Sequence, residues 1–292
     1  MNGRNAKVLL AAVIIVRASA LLLSKTALRQ LSPFNLMGVR FLLAFVLLAA
    51  LFWKRLRGAG PRTLLRGALL GCCFFIVMSA ELYGLRTTSS STTSFLENTA
   101  IVMVPLMEAV LRRRLPGGRD LGGAAVTLLG VALLTLRSGG FHPARGEALC
   151  MIAAVFYSVT IILTNRLARR DDPLVLGIVQ VGVVGALGML AACVFEHPAL
   201  PADGPTWGCV IALAVVCSGF GFTFQPVAQK YMSSEQAGMF CALSPLTAAV
   251  LGVLFLHERF GPVGLIGAAC ILAGICIGSI RPAVRAGASG KK

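Results

Sequence analysis

Apolar and polar positions alternate along this chain in long blocks. Ten apolar stretches stand out: Val8–Leu28, Phe34–Trp53, Gly67–Leu85, Thr93–Leu111, Leu121–Leu136, Glu147–Leu167, Leu174–Phe195, Trp207–Gln229, Gln236–Leu256 and Val263–Ile280. Each is near the ~20 residues that a helix needs to cross the hydrocarbon core of a bilayer. The connections between them are short and polar, and none is long enough for a soluble domain. The pattern predicts an all-α integral membrane protein with ten transmembrane helices.

A cut between the fifth and sixth stretches leaves two sets of five. A repeat with an odd number of spans leaves its second copy upside down in the membrane. The expected organisation is therefore two inverted five-helix repeats, 1–140 and 146–282, followed by a polar, basic tail, 283–292, that is expected to be disordered. Residue offsets agree with a divergent repeat. Near an offset of 140, Pro33 falls on Pro173 and Arg40 on Gln180; near 145, Phe95–Arg114 falls on Phe240–Arg259 and Gly122 on Gly267. Inverted repeats are a signature of secondary transporters, whose substrate site lies near the midplane between the halves.

Composition agrees with burial in lipid. The chain is 57% hydrophobic and 13% charged, where soluble domains carry about 25% charged residues. The net charge of +16 suggests nucleic acid until its distribution is read. With the N-terminus inside, nineteen Lys and Arg fall in inner connections and tails, six fall outside, and Arg17 and Arg40 lie within spans. The charge is thus a topology signal that places both termini in the cytoplasm of a multi-pass cell-membrane protein, and no nucleic-acid partner is expected. Arg4, Lys7 and the run Val8–Val16 before Ala18-Ser19-Ala20 imitate a signal peptide. Nine more spans follow, and removing the first would destroy the match between halves, so it is read as a span.

The nine cysteines lie almost wholly inside spans and show no zinc-ligand spacing with a His partner. They read as small buried hydrophobes, and no metal or cofactor is expected. His142, His197 and His257 fall in loops or at span ends. G-x-S-x-G, H-E-x-x-H and a phosphate loop do not occur, which argues against an enzyme. Gly67/Gly71, Gly274/Gly278 and Gly182, Gly185 and Gly188 let helix backbones approach closely, either within one molecule or in a homodimer.

The wording of several segments is similar to a known family. SKTALRQLSPFNLMGVRFLLAFVLL resembles the first two spans of drug/metabolite transporters of the EamA type, and YGLRTTSSSTTSFLENTAIVMVPLMEAVLRRRLPGGRDLGGAAVTLLGVALL their third to fifth. SSEQAGMFCALSPLTAAVLGVLFLHERFGPVGLIGAACILAGICIG resembles the same module again. The halves also differ: Arg113-Arg114 stands where the second half has Glu258-Arg259, and Ala100 where it has Pro245. The resemblance implies ten helices in inverted repeats, and export or exchange of a small-molecule substrate such as an amino acid or nucleotide-related compound. A non-transporting membrane receptor or scaffold is the alternative.

Charges inside spans cost about 2.5–3.5 kcal/mol each at the bilayer centre and are functional candidates by default. They are Arg17, Arg40, Glu81, Glu97 and Glu108. Counting along the spans, Arg40, Glu81 and Glu97 lie roughly 6–7 Å outward of the middle, with Arg17 near it. Two acids and two bases at similar depth suit either a polar substrate site, with a carboxylate that carries a proton, or a structural ion-pair network. Glu108 is better explained by an i,i+4 pair with Arg112. Asn98, Tyr83, Tyr157, Gln180 and Gln225 complete the candidates for substrate contact or coupling, with Asn165 as a further polar group. The run Thr87–Thr93 reads as a solvated turn or as a cap that shapes an outer vestibule.

Overall fold

The computed structural model describes residues 3–88, 90–113, 117–135, 145–247, 250 and 262–279. Described residues are helical wherever they are regular. Among the described residues, seven helical stretches are long and apolar enough to cross a bilayer: Arg4–Ala27, Pro33–Leu51, Pro61–Thr87, Thr92–Arg112, Arg145–Ala168, Pro173–Phe195 and Gly204–Gln229. They coincide with the first four and the sixth to eighth of the expected stretches. The fifth and tenth are shorter apolar helices, Leu121–Leu133 and Pro262–Ile277. Of the ninth, the described residues include helix over 234–240 and 243–247. Residues 251–256 lie outside the described residues, as do the junction 136–144 and the tail 283–292.

Local chemistry sets the helix starts. α1 (Gly3–Ala18) and α2 (Ala20–Ala27) make the first span, and α3 (Pro33–Leu51) the second. A short α4 (Trp53–Arg57) leads to α5 (Pro61–Thr87). Then come α6 (Ser90–Asn98), α7 (Ala100–Arg112) and α8 (Gly118–Thr135), followed by α9 (Arg145–Ala168) and α10 (Pro173–Phe195). The eighth span joins α11 (Gly204–Ala212), a π-helical segment Leu213–Phe222 and α12 (Thr223–Gln229). α13 (Ser234–Phe240) and α14 (Pro262–Ser279) complete the set. Proline opens α3, α5 and α10, where its missing N–H costs nothing. Asp172 caps α10 by accepting from Leu174 N, and Asp203 caps α11 by accepting from Thr206 N.

Two spans break where a hydroxyl turns back on its own helix. Ser19 Oγ donates to the Val16 carbonyl at 3.0 Å, between α1 and α2. Thr99 Oγ1 donates to the Leu96 carbonyl at 2.6 Å, between α6 and α7. Such back-bonding competes with the helical ladder. Both breaks sit beside the polar centre described below.

The strongest packing joins α3 to α10, α5 to α9 and α10, and α8 to α14; α1 and α2 lie along the span made by α11, the π segment and α12. At the α3–α10 seam the backbones nearly touch. A Cβ on Gly38 would stand 2.8 Å from Met189 N, and one on Gly188 2.9 Å from Gly38 N. Gly182 and Gly185 face Phe45 and Leu42 in the same seam, and Gly67 and Gly71 seat Val179 and Val183 of α10. These small residues therefore serve packing within one molecule. Large apolar residues such as Leu51, Val110 and Phe195 face outward, while Arg40 and Glu108 are each only 2% exposed. Polar groups inside and apolar groups outside suit a protein whose solvent is lipid.

Candidate functional site

The breaks at Ser19 and Thr99 and the π segment all border one cavity of about 60 Å³. Arg17 and Arg40 enter it from the first two spans, Glu81 from α5, Glu97 and Asn98 from α6, and Tyr157 from α9, with Phe222 closing it from the π segment. Six of the nine candidates thus meet in one place. Gln225 adjoins the cavity through Arg17.

Each arginine is held by neutral and aromatic groups. Arg17 Nη1 donates to Gln225 Oε1 at 2.6 Å and to Tyr157 Oη at 3.4 Å. Its guanidinium stacks 3.9 Å from the Phe222 ring centroid and 5.9 Å from that of Tyr157, a cation–π arrangement. A Cβ on Gly221 would lie 2.6 Å from Arg17 Cγ, so glycine makes room there for the arginine stem. Arg40 Nη1 donates to Ser24 Oγ at 3.0 Å, Nη2 approaches Met78 Sδ at 3.8 Å, and the guanidinium lies 4.6 Å from the Phe41 ring.

An ion pair at this depth is not what the geometry gives. No described carboxylate lies within 4.0 Å of either arginine. Glu81 and Glu97 instead stand within hydrogen-bonding reach of each other. Of the two arrangements that the sequence allowed, a polar site or a structural ion-pair network, the described residues show two arginines and a carboxyl pair lining one cavity with no ion pair between them. Asn98 Nδ2 donates to the Ser94 carbonyl at 2.7 Å. Arg40 Nε, Glu97 Oε1 and Asn98 Oδ1 are buried without a hydrogen-bond partner among the described residues. Buried polar atoms normally find partners, so these three retain unused hydrogen-bonding capacity at the cavity.

Two candidates lie elsewhere. Gln180 is buried in α10 and does not line the cavity. Tyr83 Oη donates to Glu196 Oε1 at 2.8 Å, and Glu196 also accepts from the backbone N–H groups of Phe34 and Asn35. Tyr83 thus belongs to a lock that ties α5 to the start of α3 and the end of α10. The Thr87–Thr93 run is not a solvated turn throughout: α5 runs to Thr87, and Thr88 and Thr93 are buried. Lys25 Nζ donates to the Thr88 carbonyl at 3.0 Å.

At the opposite end, Glu108 pairs with Arg112 at 2.7 Å as the spacing predicts. It also meets Arg166 of α9 at 3.3 Å and accepts from Ser234 Oγ at 3.1 Å. Asn165 Nδ2 donates to the carbonyls of Gln229 and Met232. Polar ties thus join the helices at both ends of the cavity. Outside the spans, Asp203 accepts from Gln30, and its carboxyl is held below the usual range by the hydroxyl and N–H of Thr206 and by Gln30.

Sequence reasoning missed Ser24, Phe41, Met78 and Phe222 as partners of the arginines. Ser24 carried a weak signal, since it lies two turns after Arg17 on the same helix face. An apolar side chain within an apolar span carries none.

The chain matches the EamA-like transporter family over residues 5–136 and 144–280. An uncharacterized transporter of Archaeoglobus fulgidus is 26% identical over 94% of this chain and 97% of its own length. A Chlamydia trachomatis protein named as an S-adenosylmethionine/S-adenosylhomocysteine transporter is 26% identical over 84% of this chain and 80% of its own. A solved crystal structure, 21% identical, superimposes with a TM-score of 0.78, covering 94% of this chain and 97% of that one, and so shares the fold.

Proposed function

The chain belongs to the EamA-like transporter family, and from that membership we propose that it is a secondary transporter moving a small organic solute across the cell membrane by alternating access to the central cavity. The observation that carries this reading is the cavity itself. Four charged side chains and three unpartnered buried polar atoms meet where helices from both matched stretches converge. Charges at membrane depth are costly unless they serve a path or a site.

The proposed architecture is ten helices in two inverted five-helix repeats, 1–140 and 146–282. Its support is a pattern of contacts that maps onto itself when spans are advanced by five. The α5–α9 contact corresponds to that of the eighth span with α1 and α2, and the α3–α10 and α8–α14 contacts each correspond to themselves. Asp171, just before α10, accepts from Thr63 and Arg66 at the start of α5. Its counterpart joins Gln30, just before α3, to Asp203 at the start of α11. Pro33 and Pro173, matched by offset, each open their helix.

A cavity of about 60 Å³ holds a few water molecules rather than a metabolite. It must widen to admit solute. The Glu108 ties at one end and the Glu196 and Lys25 ties at the other are the contacts that would release alternately. The charges favour a solute bearing both signs: arginines without acid partners suit an anionic group, and the carboxyl pair suits a cationic group or a proton. The Chlamydia relative is named for S-adenosylmethionine, which carries an amino and a carboxylate group.

Counterflow in proteoliposomes tests the proposal, with S-adenosylmethionine and amino acids in the first panel. Saturable exchange that Arg17→Gln abolishes while protein yield is preserved is the expected result. If no solute in a broad metabolite panel exchanges, while at least one binds with unchanged affinity in Arg17→Gln, the receptor reading stands instead.

A further inference from the structure

A second hollow, of about 770 Å³, opens where α9 passes into α10, far along the sequence from the charged residues of the first spans. Two carboxylates line it, and both are engaged. Asp171 accepts from Thr63 Oγ1 at 2.9 Å and from Arg66 Nη1 at 2.8 Å. Asp172 Oδ1 caps α10, and its Oδ2 stands 3.7 Å from Arg55. The cations are in excess. Arg55, Arg169, Arg170 and Lys230 all line the hollow. Arg169 gives one N–H to the Met232 carbonyl. The side chains of Arg170 and Lys230 have no hydrogen bond or ion pair among the described residues.

The hollow is also amphipathic. Leu174, Phe224 and Val227 form apolar wall beside the cations. Tyr231 lines it and is 40% exposed, and Trp53, two residues before Arg55, is 58% exposed. Aromatic residues of this kind mark the level of the lipid headgroups. An excess of basic residues on one side of a membrane protein needs no ligand, and Arg57 and Arg62 are explained by topology alone. Topology does not explain a hollow in which spare cations and apolar side chains line the same space.

We propose that this hollow binds the phosphate of an anionic phospholipid headgroup, with Arg170 and Lys230 as its principal contacts and the glycerol end against Phe224 and Val227. The chemistry required is a phosphate group; the apolar wall at headgroup level favours a lipid over free phosphate. Basic pockets between helices at a membrane surface bind anionic headgroups through this combination. The proposal does not depend on which solute the central cavity takes.

Native mass spectrometry of the purified full chain tests it. Protein is equilibrated with equal amounts of phosphatidylglycerol and phosphatidylcholine, and retained lipids are counted. Preferential retention of phosphatidylglycerol is expected, falling roughly thirtyfold in Arg170→Gln/Lys230→Gln. Arg57→Gln/Arg62→Gln, which alters exposed cations that do not line the hollow, should leave retention unchanged. Each single variant, Arg170→Gln and Lys230→Gln, should give an intermediate loss. Equal retention of the two lipids, or a preference that the double variant leaves intact, overturns the proposal. A third arm adds millimolar inorganic phosphate. Displacement of phosphatidylglycerol by phosphate at concentrations where chloride at matched ionic strength displaces none would make the site a free-anion site and overturn the lipid assignment.

Discussion

Arg17 and Gln225 are separated by 208 positions in the chain, yet Arg17 Nη1 donates to Gln225 Oε1 at 2.6 Å. The bond joins the first span to the eighth and fixes the guanidinium over Phe222. A hydrogen bond to a charged group contributes about 1.5–3 kcal/mol. Gln225→Leu should therefore lower the thermal unfolding midpoint in detergent and weaken solute binding. Gln225→Glu should restore stability by supplying a charged acceptor. An unfolding midpoint unchanged in Gln225→Leu would show that Arg17 finds another partner at no cost.

The carboxyl pair makes a different prediction. Glu81 and Glu97 reach each other and have no arginine within 4.0 Å among the described residues. Glu97→Gln preserves the shape of the pair and removes a titrating group. It should reach the membrane at normal yield and lose transport or its pH dependence. Arg40→Gln/Glu81→Gln should not recover transport over the two single variants, because no ion pair joins the two groups among the described residues. Recovery in the double variant would mean that mutual neutralisation is their main task. Normal transport with normal pH dependence in both Glu81→Gln and Glu97→Gln would leave Asn98, Tyr157 and Gln225 as the site.

The seam between α3 and α10 tolerates no side chain at Gly38, where a Cβ would stand 2.8 Å from Met189 N. Gly38→Ala should cost about 1–3 kcal/mol by forcing the backbones apart. Gly208→Ala, in α11 with nothing within 4 Å of the added Cβ, should be neutral or gain about 0.5–1 kcal/mol from the lower entropy cost of alanine in a helix. Guanidine-free thermal melts of both variants compare the two directly. Equal effects would mean that the seam is slack.

Sidedness can be read by cysteine labelling in whole cells, in a background freed of native cysteine. Loop charges predict that the 58–60 turn is inside and the 197–202 loop outside. An impermeant maleimide should label Pro198→Cys and spare Gly58→Cys until the membrane is permeabilised. Labelling of both in intact cells would contradict an odd number of spans between them.

Hydropathy and charge made the helices legible because the cost of a polar group in lipid is paid residue by residue. The apolar stretches and the set Arg17, Arg40, Glu81, Glu97 and Asn98 follow from that local cost. Counting 1.5 Å per residue also put these side chains at similar depth. Depth alone leaves open the direction in which each helix face turns, so Tyr83 and Gln180 looked as eligible as Tyr157. Only the tertiary structure decided that Tyr83 serves Glu196, that Gln225 serves Arg17, and that the arginines rest on Ser24, Phe41 and Phe222 rather than on the acids. Those choices depend on helix rotation and on contacts between segments far apart in the chain, set by glycine seams that bring particular faces together. An apolar partner such as Phe222 costs nothing in lipid, so no local signal distinguishes it from any other residue of its span.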